Sequence, residues 1–247
     1  MSSSVLITGA NRGIGKAILS IYLSQPGRTV ISGVRDVNHP SVAELRTLPV
    51  GTGSKLIVVK IDSTVPSDAQ AAVSELKALH GITKLDTVIA NAGVGKFWGL
   101  VADTPISEVE DHFKVNSIGP FALYLAVRSL LLAAREPRFV VVSTELGSIG
   151  MQSQRKIPDV AYGMSKAAIN FFVGKVHLEE PALITFPIHP SWVKTELGNS
   201  IAKAIGMKEA AITEEQSAAG VVEQIEKSTK EATSGHFLNY DGTEIPW

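Results

Sequence analysis

The stretch Val5-Leu-Ile-Thr8-Gly9-Ala-Asn-Arg-Gly13-Ile-Gly15-Lys-Ala-Ile-Leu19 decides the fold of this 247-residue chain. A short apolar run, Val5–Thr8, meets three glycines and then a helical pattern over 13–24. The run suits a buried strand. Glycines let the turn be tight and let the backbone approach a pyrophosphate, whose charge then rests on free N–H groups at the helix N-terminus. Gly9, Asn11, Arg12, Gly13, Ile14 and Gly15 are therefore candidate cofactor contacts. A glycine-rich turn that binds nothing looks the same in isolation. The context favours binding: a strand precedes, a helix follows, and a second strand arrives on schedule at Thr29–Val34.

Working outward, further branched apolar runs occur at Lys55–Ile61, Leu85–Ala90, Arg138–Ser143, Ala182–Ile188 and, more weakly, His236–Asn239. Helical patterns lie between them at about 40–48, 66–80, 105–134, 161–178 and 213–230. Strands alternating with helices imply βαβ crossovers and a parallel sheet with helices on both faces. Nearly continuous runs such as Phe139-Val-Val-Val142 fit a sheet buried on both sides. Val65-Pro66-Ser67-Asp68 opens the helix at 66–80; Thr104-Pro105 opens the long one as cap and first-turn proline, and Glu136-Pro137 closes it. No linker or repeat interrupts the pattern, so residues 1–247 read as one α/β domain.

Composition removes whole classes of chemistry. The chain has no cysteine, which excludes disulfide frameworks, thiolate metal sites and cysteine nucleophiles. With 23 basic and 24 acidic residues, it lacks the electrostatic footprint of a nucleic-acid binder. The small basic clusters Arg155–Lys156 and Arg135/Arg138 read as solvated surface. No apolar run approaches the ~18–20 residues of a membrane span, and the start lacks the charged region of a signal peptide. The expectation is a soluble, cytoplasmic protein. His112, His177 and His189 lack metal-binding spacing and read as structural, and no Gly-x-Ser-x-Gly elbow points to a hydrolase.

Strand two speaks to cofactor choice. A site selecting NAD usually carries an acidic residue about 20 residues past the last glycine. Here Arg35 stands 20 residues after Gly15. A guanidinium matches a 2′-phosphate, and Arg12 offers a second charge, so NADP(H) is the expected cofactor. Asp36, one residue on, is the competing neighbour.

The chemistry clusters in Tyr162-Gly-Met-Ser-Lys166, whose i,i+4 spacing puts phenol and ammonium on one helix face. An ammonium beside a phenol favours the phenolate and makes a usable general acid/base. Strand five ends in Ser143-Thr144 and strand four in Ala90-Asn91-Ala92-Gly93, both at the sheet edge where open α/β folds bind ligands. Asn116 lies in the long helix.

Taken in order, these residues resemble the short-chain dehydrogenase/reductase family over nearly the whole chain. Residues 8–15 match its Thr-Gly-x-x-x-Gly-x-Gly, 91–93 its Asn-Ala-Gly, 162 and 166 its Tyr-x-x-x-Lys, and Asn116 its helix asparagine. Asp62 resembles the family's adenine-contacting aspartate, and Pro190-Ser-Trp-Val193-Lys-Thr195 its Pro-Gly-x-Val-x-Thr segment. The loop at 146–150 and the ending Asn239-Tyr240-Asp241-Gly242 with Ile245-Pro246-Trp247 resemble the branch holding fungal norsolorinic-acid ketoreductase and small carbonyl reductases. Three positions depart: the catalytic serine aligns with Thr144, leaving Ser143 as the other hydroxyl; Ala90 replaces an asparagine; Ser191 replaces a glycine.

The resemblance implies a single doubly wound Rossmann domain with a seven-stranded parallel sheet. It also implies hydride transfer between NADP(H) and a ketone or aldehyde. Thr144 or Ser143 would bond the carbonyl oxygen and Tyr162 would donate the proton. Lys166 would tune Tyr162 and hold the nicotinamide ribose, and Asn116 would anchor a water leading to solvent. Asn91, Ala92, Gly93, Pro190, Val193 and Thr195 would contact the cofactor. Loops at about 94–104 (Phe97, Trp98, Leu100), 147–158 (Met151) and 192–212 (Trp192, Ile205, Met207) would surround the substrate, and their apolar content suits a bulky aromatic, polyketide-like carbonyl. Packing of those side chains against loops or a second subunit is the competing reading. A homodimer or tetramer through 105–134 and 161–178 is also implied. Two alternatives stay open: a dehydrogenase running toward alcohol oxidation, and a regulatory protein that senses NADP(H) without turnover.

Overall fold

The computed structural model describes residues 3–154 and 156–247. Seven strands, β1 (Ser3–Thr8), β2 (Arg28–Val34), β3 (Lys55–Lys60), β4 (Thr87–Ala90), β5 (Arg138–Val142), β6 (Ile184–His189) and β7 (Leu238–Asn239), form one sheet in the order β3-β2-β1-β4-β5-β6-β7. Every neighbouring pair is parallel. The order reverses between β1 and β4, so the loops leaving them part to opposite faces and open a crevice at the carboxyl edge.

Helices α1 (Gly13–Ser24), α2 (Pro40–Leu45), α3 (Pro66–His80), α4 (Ile106–Phe113), α5 (Gly119–Leu131), α6 (Val160–Glu179), α7 (Glu196–Ala204) and α8 (Glu214–Lys227) complete the layers. Alternation along β1 shows why both faces are covered. Leu6 joins Val88, Phe139 and Val141 in a core with α3, α5 and α6. Val5 and Ile7 join Val30, Val140 and Phe186 in a second core with α1 and α8. Strands apolar on both sides need both layers, which is the physical content of the doubly wound reading.

Several boundaries differ from the sequence expectation. The pattern at 105–134 is interrupted by a π turn at Lys114–Ile118 between α4 and α5. Its cause is legible: Pro120 has no N–H to give the carbonyl of Asn116, its α-helical partner four residues back. Pro105, not Thr104, holds the cap position of α4, while Thr104 Oγ1 donates back to the Leu100 carbonyl. The 192–212 segment is not all loop; it contains α7, whose nine residues were too short a periodic signal beside a Pro-Ser turn. Arg138 is not solvated surface either, because its guanidinium donates to Ser228 Oγ and the Ser228 carbonyl at the end of α8. Arg155 lies outside the described residues. Among the described residues no helix is long and apolar enough to cross a membrane.

Candidate active site

The crevice is built from the glycine loop upward. Gly9 and Gly13 hold positive φ of 64° and 58°, where a side chain would be strained. At Gly15 a Cβ would collide with Asn91 Nδ2 and the Gly9 carbonyl. The β1 and β4 loops are stapled together here. Asn91 Nδ2 donates to the carbonyls of Thr8 (2.9 Å) and Gly9 (3.3 Å), and Thr8 Oγ1 accepts from the amides of Asn91 and Ala92, both at 3.1 Å. Asn91 thus shapes the cradle with its side chain, and β1–β4 pairing brings Gly93 beside it.

On the adenosine side, Arg35 leaves the end of β2 exposed and without a polar partner among the described residues. Asp36 is turned away into its own loop, where its Oδ1 accepts from the Asn38 amide at 2.9 Å. A cation is therefore presented where the NAD-type acid would stand. Arg12 is exposed but paired at 2.6 Å with Glu196, a partner the sequence reading did not foresee. Asn11 Nδ2 donates to Ser41 Oγ at 2.7 Å, bringing α2 to the rim. Asp62 sits past β3 with Oδ1 accepting from the Thr64 amide and hydroxyl, both at 2.8 Å.

On the chemical side, Ser143, Thr144, Tyr162 and Lys166 line one cleft with Ile14, Gly93, Pro190, Val193 and Thr195. The two hydroxyls separate cleanly. Ser143 Oγ donates to Asn170 Oδ1 at 2.6 Å in the buried interior. Thr144 Oγ1 accepts only a long 3.3 Å bond from the Leu146 amide, and its proton has no acceptor among the described residues. Thr144 is thus the hydroxyl left to donate into the cleft.

Lys166 Nζ donates to the Val142 carbonyl at 2.8 Å and lies 5.8 Å from the Tyr162 ring centre. Burial lowers the ammonium to about 8. The phenol behaves differently from the expectation that Lys166 would lower it. Burial, and secondarily the carboxyl of Asp159, push Tyr162 up. The reason is desolvation: neither charged form is welcome where both groups are buried, and the ammonium points to a carbonyl rather than to the phenol. Asp159, one turn before Tyr162 and half-buried, is itself raised to about 6 by burial. Spacing gave no hint of it.

Asn116 is fully buried in the π turn. Its Nδ2 donates to the Val94 carbonyl (2.9 Å) and Ser165 Oγ (3.0 Å), and its Oδ1 accepts from the Val94 amide (2.8 Å). The side chain is thus occupied in holding the 94 loop against α6, while Pro120 offers the Asn116 backbone carbonyl no N–H. A Cβ placed on Gly93 would lie 3.2 Å from Asn116 Oδ1 and 3.5 Å from Lys166 Nζ, so the three meet at one point. Ser191, in the family's glycine position, adopts φ 69°, a conformation unfavourable for a side chain. Of the expected loop residues, Trp192 lines the cleft, joined by Leu146, Ile157, Leu197 and Ile201, which the sequence had not singled out. Leu100 and Met207 point to solvent instead.

Comparison with known proteins agrees with this geometry. The short chain dehydrogenase family model matches residues 3–206. Norsolorinic acid ketoreductase nor1 of Dothistroma septosporum is 39% identical, over 99% of this chain and 92% of that protein. Norsolorinic acid ketoreductase of Aspergillus parasiticus is 38% identical, over 98% and 90%. The NADPH-bound carbonyl reductase from chicken fatty liver superposes with a TM-score of 0.86 at 25% identity, covering 100% of this chain and 99% of that one. With its parallel sheet, glycine cradle and Tyr-x-x-x-Lys cleft, the chain belongs to the short-chain dehydrogenases and is an oxidoreductase of that family.

Proposed function

We propose that the chain is an NADP(H)-dependent reductase of ketones or aldehydes, with a bulky aromatic carbonyl as its substrate. The observation that carries this reading is one cleft in which Thr144, Tyr162 and Lys166 meet at the switch point beside the glycine cradle. The residues present fit the cofactor: the loop has no room for a side chain at Gly15, and Arg35 stands free for a 2′-phosphate. The bound nicotinamide would supply the hydride.

The chain's own groups then have defined tasks. Thr144 donates to the carbonyl oxygen as negative charge develops. Burial keeps the Tyr162 phenol protonated at neutral pH, which is the form a proton donor needs. Lys166, held on the Val142 carbonyl, fixes the ribose end, and the Asn116 backbone carbonyl anchors the route of reprotonation. A sensor without turnover has no use for this set. Residues 1–247 act as one cytoplasmic NADP(H)-binding domain, with the segments at about 94–104, 147–158 and 192–212 bounding the substrate.

The test follows NADPH consumption over a panel of aromatic ketones and small aldehydes. Tyr162→Phe is expected to lose at least about 10²-fold in rate, the usual contribution of a positioned acid, with NADPH binding intact. Equal rates for wild type and variant would overturn the assignment. Arg35→Asp is expected to reverse the preference for NADPH over NADH, and an unchanged ratio would remove Arg35 from the 2′-phosphate site.

A further inference from the structure

Helix α7 closes one side of the cleft, pressing Leu197 and Ile201 into it. The cleft's space is about 170 Å³, below the ~300–1,000 Å³ of sites that hold drug-sized ligands. A bulky ketone beside a nicotinamide needs more room, and the position of α7 decides how much it finds.

Besides the apolar packing of Leu197, Ile201 and Ala202, few bonds hold α7 in place. Thr195 caps it, and Trp192 Nε1 and Asn199 Oδ1 tie it within its own 190–212 segment. Among the described residues, two side-chain hydrogen bonds leave α7 for the rest of the molecule. One is the exposed Arg12–Glu196 pair. The other is half-buried: Trp98 Nε1 donates to Ser200 Oγ at 3.1 Å. Exposed pairs of the first kind contribute little, so the indole bond is the stronger tie.

Trp98 is also braced from beneath. Its ring sits on the backbone of Gly95, where a Cβ would come within 3.1 Å, and meets Tyr162 edge-on at 5.6 Å between ring centres. Buried His112 flanks Tyr162 as well, at 6.3 Å, and its Nε2 accepts from the Lys96 amide at 3.1 Å. The 94–100 loop is therefore anchored to the interior, and α7 meets it through the Trp98 hydrogen bond and through Leu197 packed beside Gly95.

We propose that the Trp98–Ser200 hydrogen bond is a latch that sets the upper size of substrate admitted to Tyr162. It deepens the carbonyl-reductase reading and rests on it. Small aldehydes enter with the latch closed; a fused-ring ketone enters only when Ser200 releases the indole and α7 carries Leu197 and Ile201 outward.

The experiment pairs Ser200→Ala with Trp98→Phe, which keeps a ring against Tyr162 but removes the donor. Steady-state kinetics are measured with a naphthyl ketone and a small aliphatic aldehyde. Loss of one neutral hydrogen bond predicts a fall of about fivefold in KM for the ketone in either variant. For Ser200→Ala, kcat and KM for the aldehyde stay within about twofold, and the double variant gains nothing further. Equal shifts for both substrates, or none for the ketone, would overturn the latch. Hydrogen exchange on the same proteins reads the latch without turnover: uptake in 94–100 and 195–204 rises together in each variant. Unchanged exchange refutes the latch whatever the activity. A wild type that reduces no carbonyl while exchange rises refutes the functional reading, and with it the size limit, but leaves the hydrogen bond as the tie on α7.

Discussion

Inside the cleft, burial raises the Tyr162 phenol and brings the Lys166 ammonium down to about 8, because loss of solvent opposes charge of either sign. Asp159 belongs to the same account. Its carboxyl titrates at about 6 in the folded chain and near 4 when unfolded. The protonated form therefore stabilises the fold below about pH 4, and that contribution is lost as pH rises through about 6. Asp159→Asn is expected to raise Tm at pH 7 and to leave it unchanged near pH 4. Removing the carboxylate also relieves Tyr162, so the basic limb of the pH–rate profile should move to lower pH. Thermal scans and rate profiles at matched pH check both. Tyr162 and Lys166 were legible from a four-residue spacing. Asp159 was not, because its effect comes from how deeply its surroundings bury it.

At the scale of elements, the long helix and the short one carry the lesson. Periodicity finds a helix over 105–134 but cannot see that Pro120 turns five residues of it into a π turn and buries Asn116 there. In α7, Thr195 Oγ1 accepts from the Gly198 amide at 3.0 Å and closes the helix start. Thr195→Ala is expected to cost about 1 kcal/mol, the usual loss for such a cap. Hydrogen exchange should locate that loss in 196–204, and Thr195→Ser should restore protection. Thr195 was expected as a cofactor contact from its motif; the structure also gives it this task in the element that covers the cleft.

Over the whole molecule, the outer surface of α5 and α6 has a composition the interior does not explain. Met164, Phe171 and Leu178, seven residues apart on α6, are exposed, as are Ile118, Phe121 and Leu125 beside them. Contiguous apolar patches on a folded chain mark association sites. A second copy of the chain meeting this face about a two-fold axis would cover it. Wild type is expected to elute as a dimer or tetramer, and Phe171→Glu as a smaller species with its secondary structure intact. Light scattering on both proteins decides, and a monomeric wild type would refute the association.

By itself the amino-acid sequence determined the strand–loop–helix start, the alternation that demands a two-faced parallel sheet, and the residue types of the cleft. These are local: glycine conformations, one helical turn between Tyr162 and Lys166, a cation 20 residues after Gly15. Only the tertiary structure decided which hydroxyl is spent on Asn170 and which faces the cleft, that burial rather than Lys166 governs Tyr162, and that Trp98 reaches Ser200 across 102 positions. Desolvation and long-range hydrogen bonding depend on neighbours the chain brings together only by folding, so no spacing rule along it can express them.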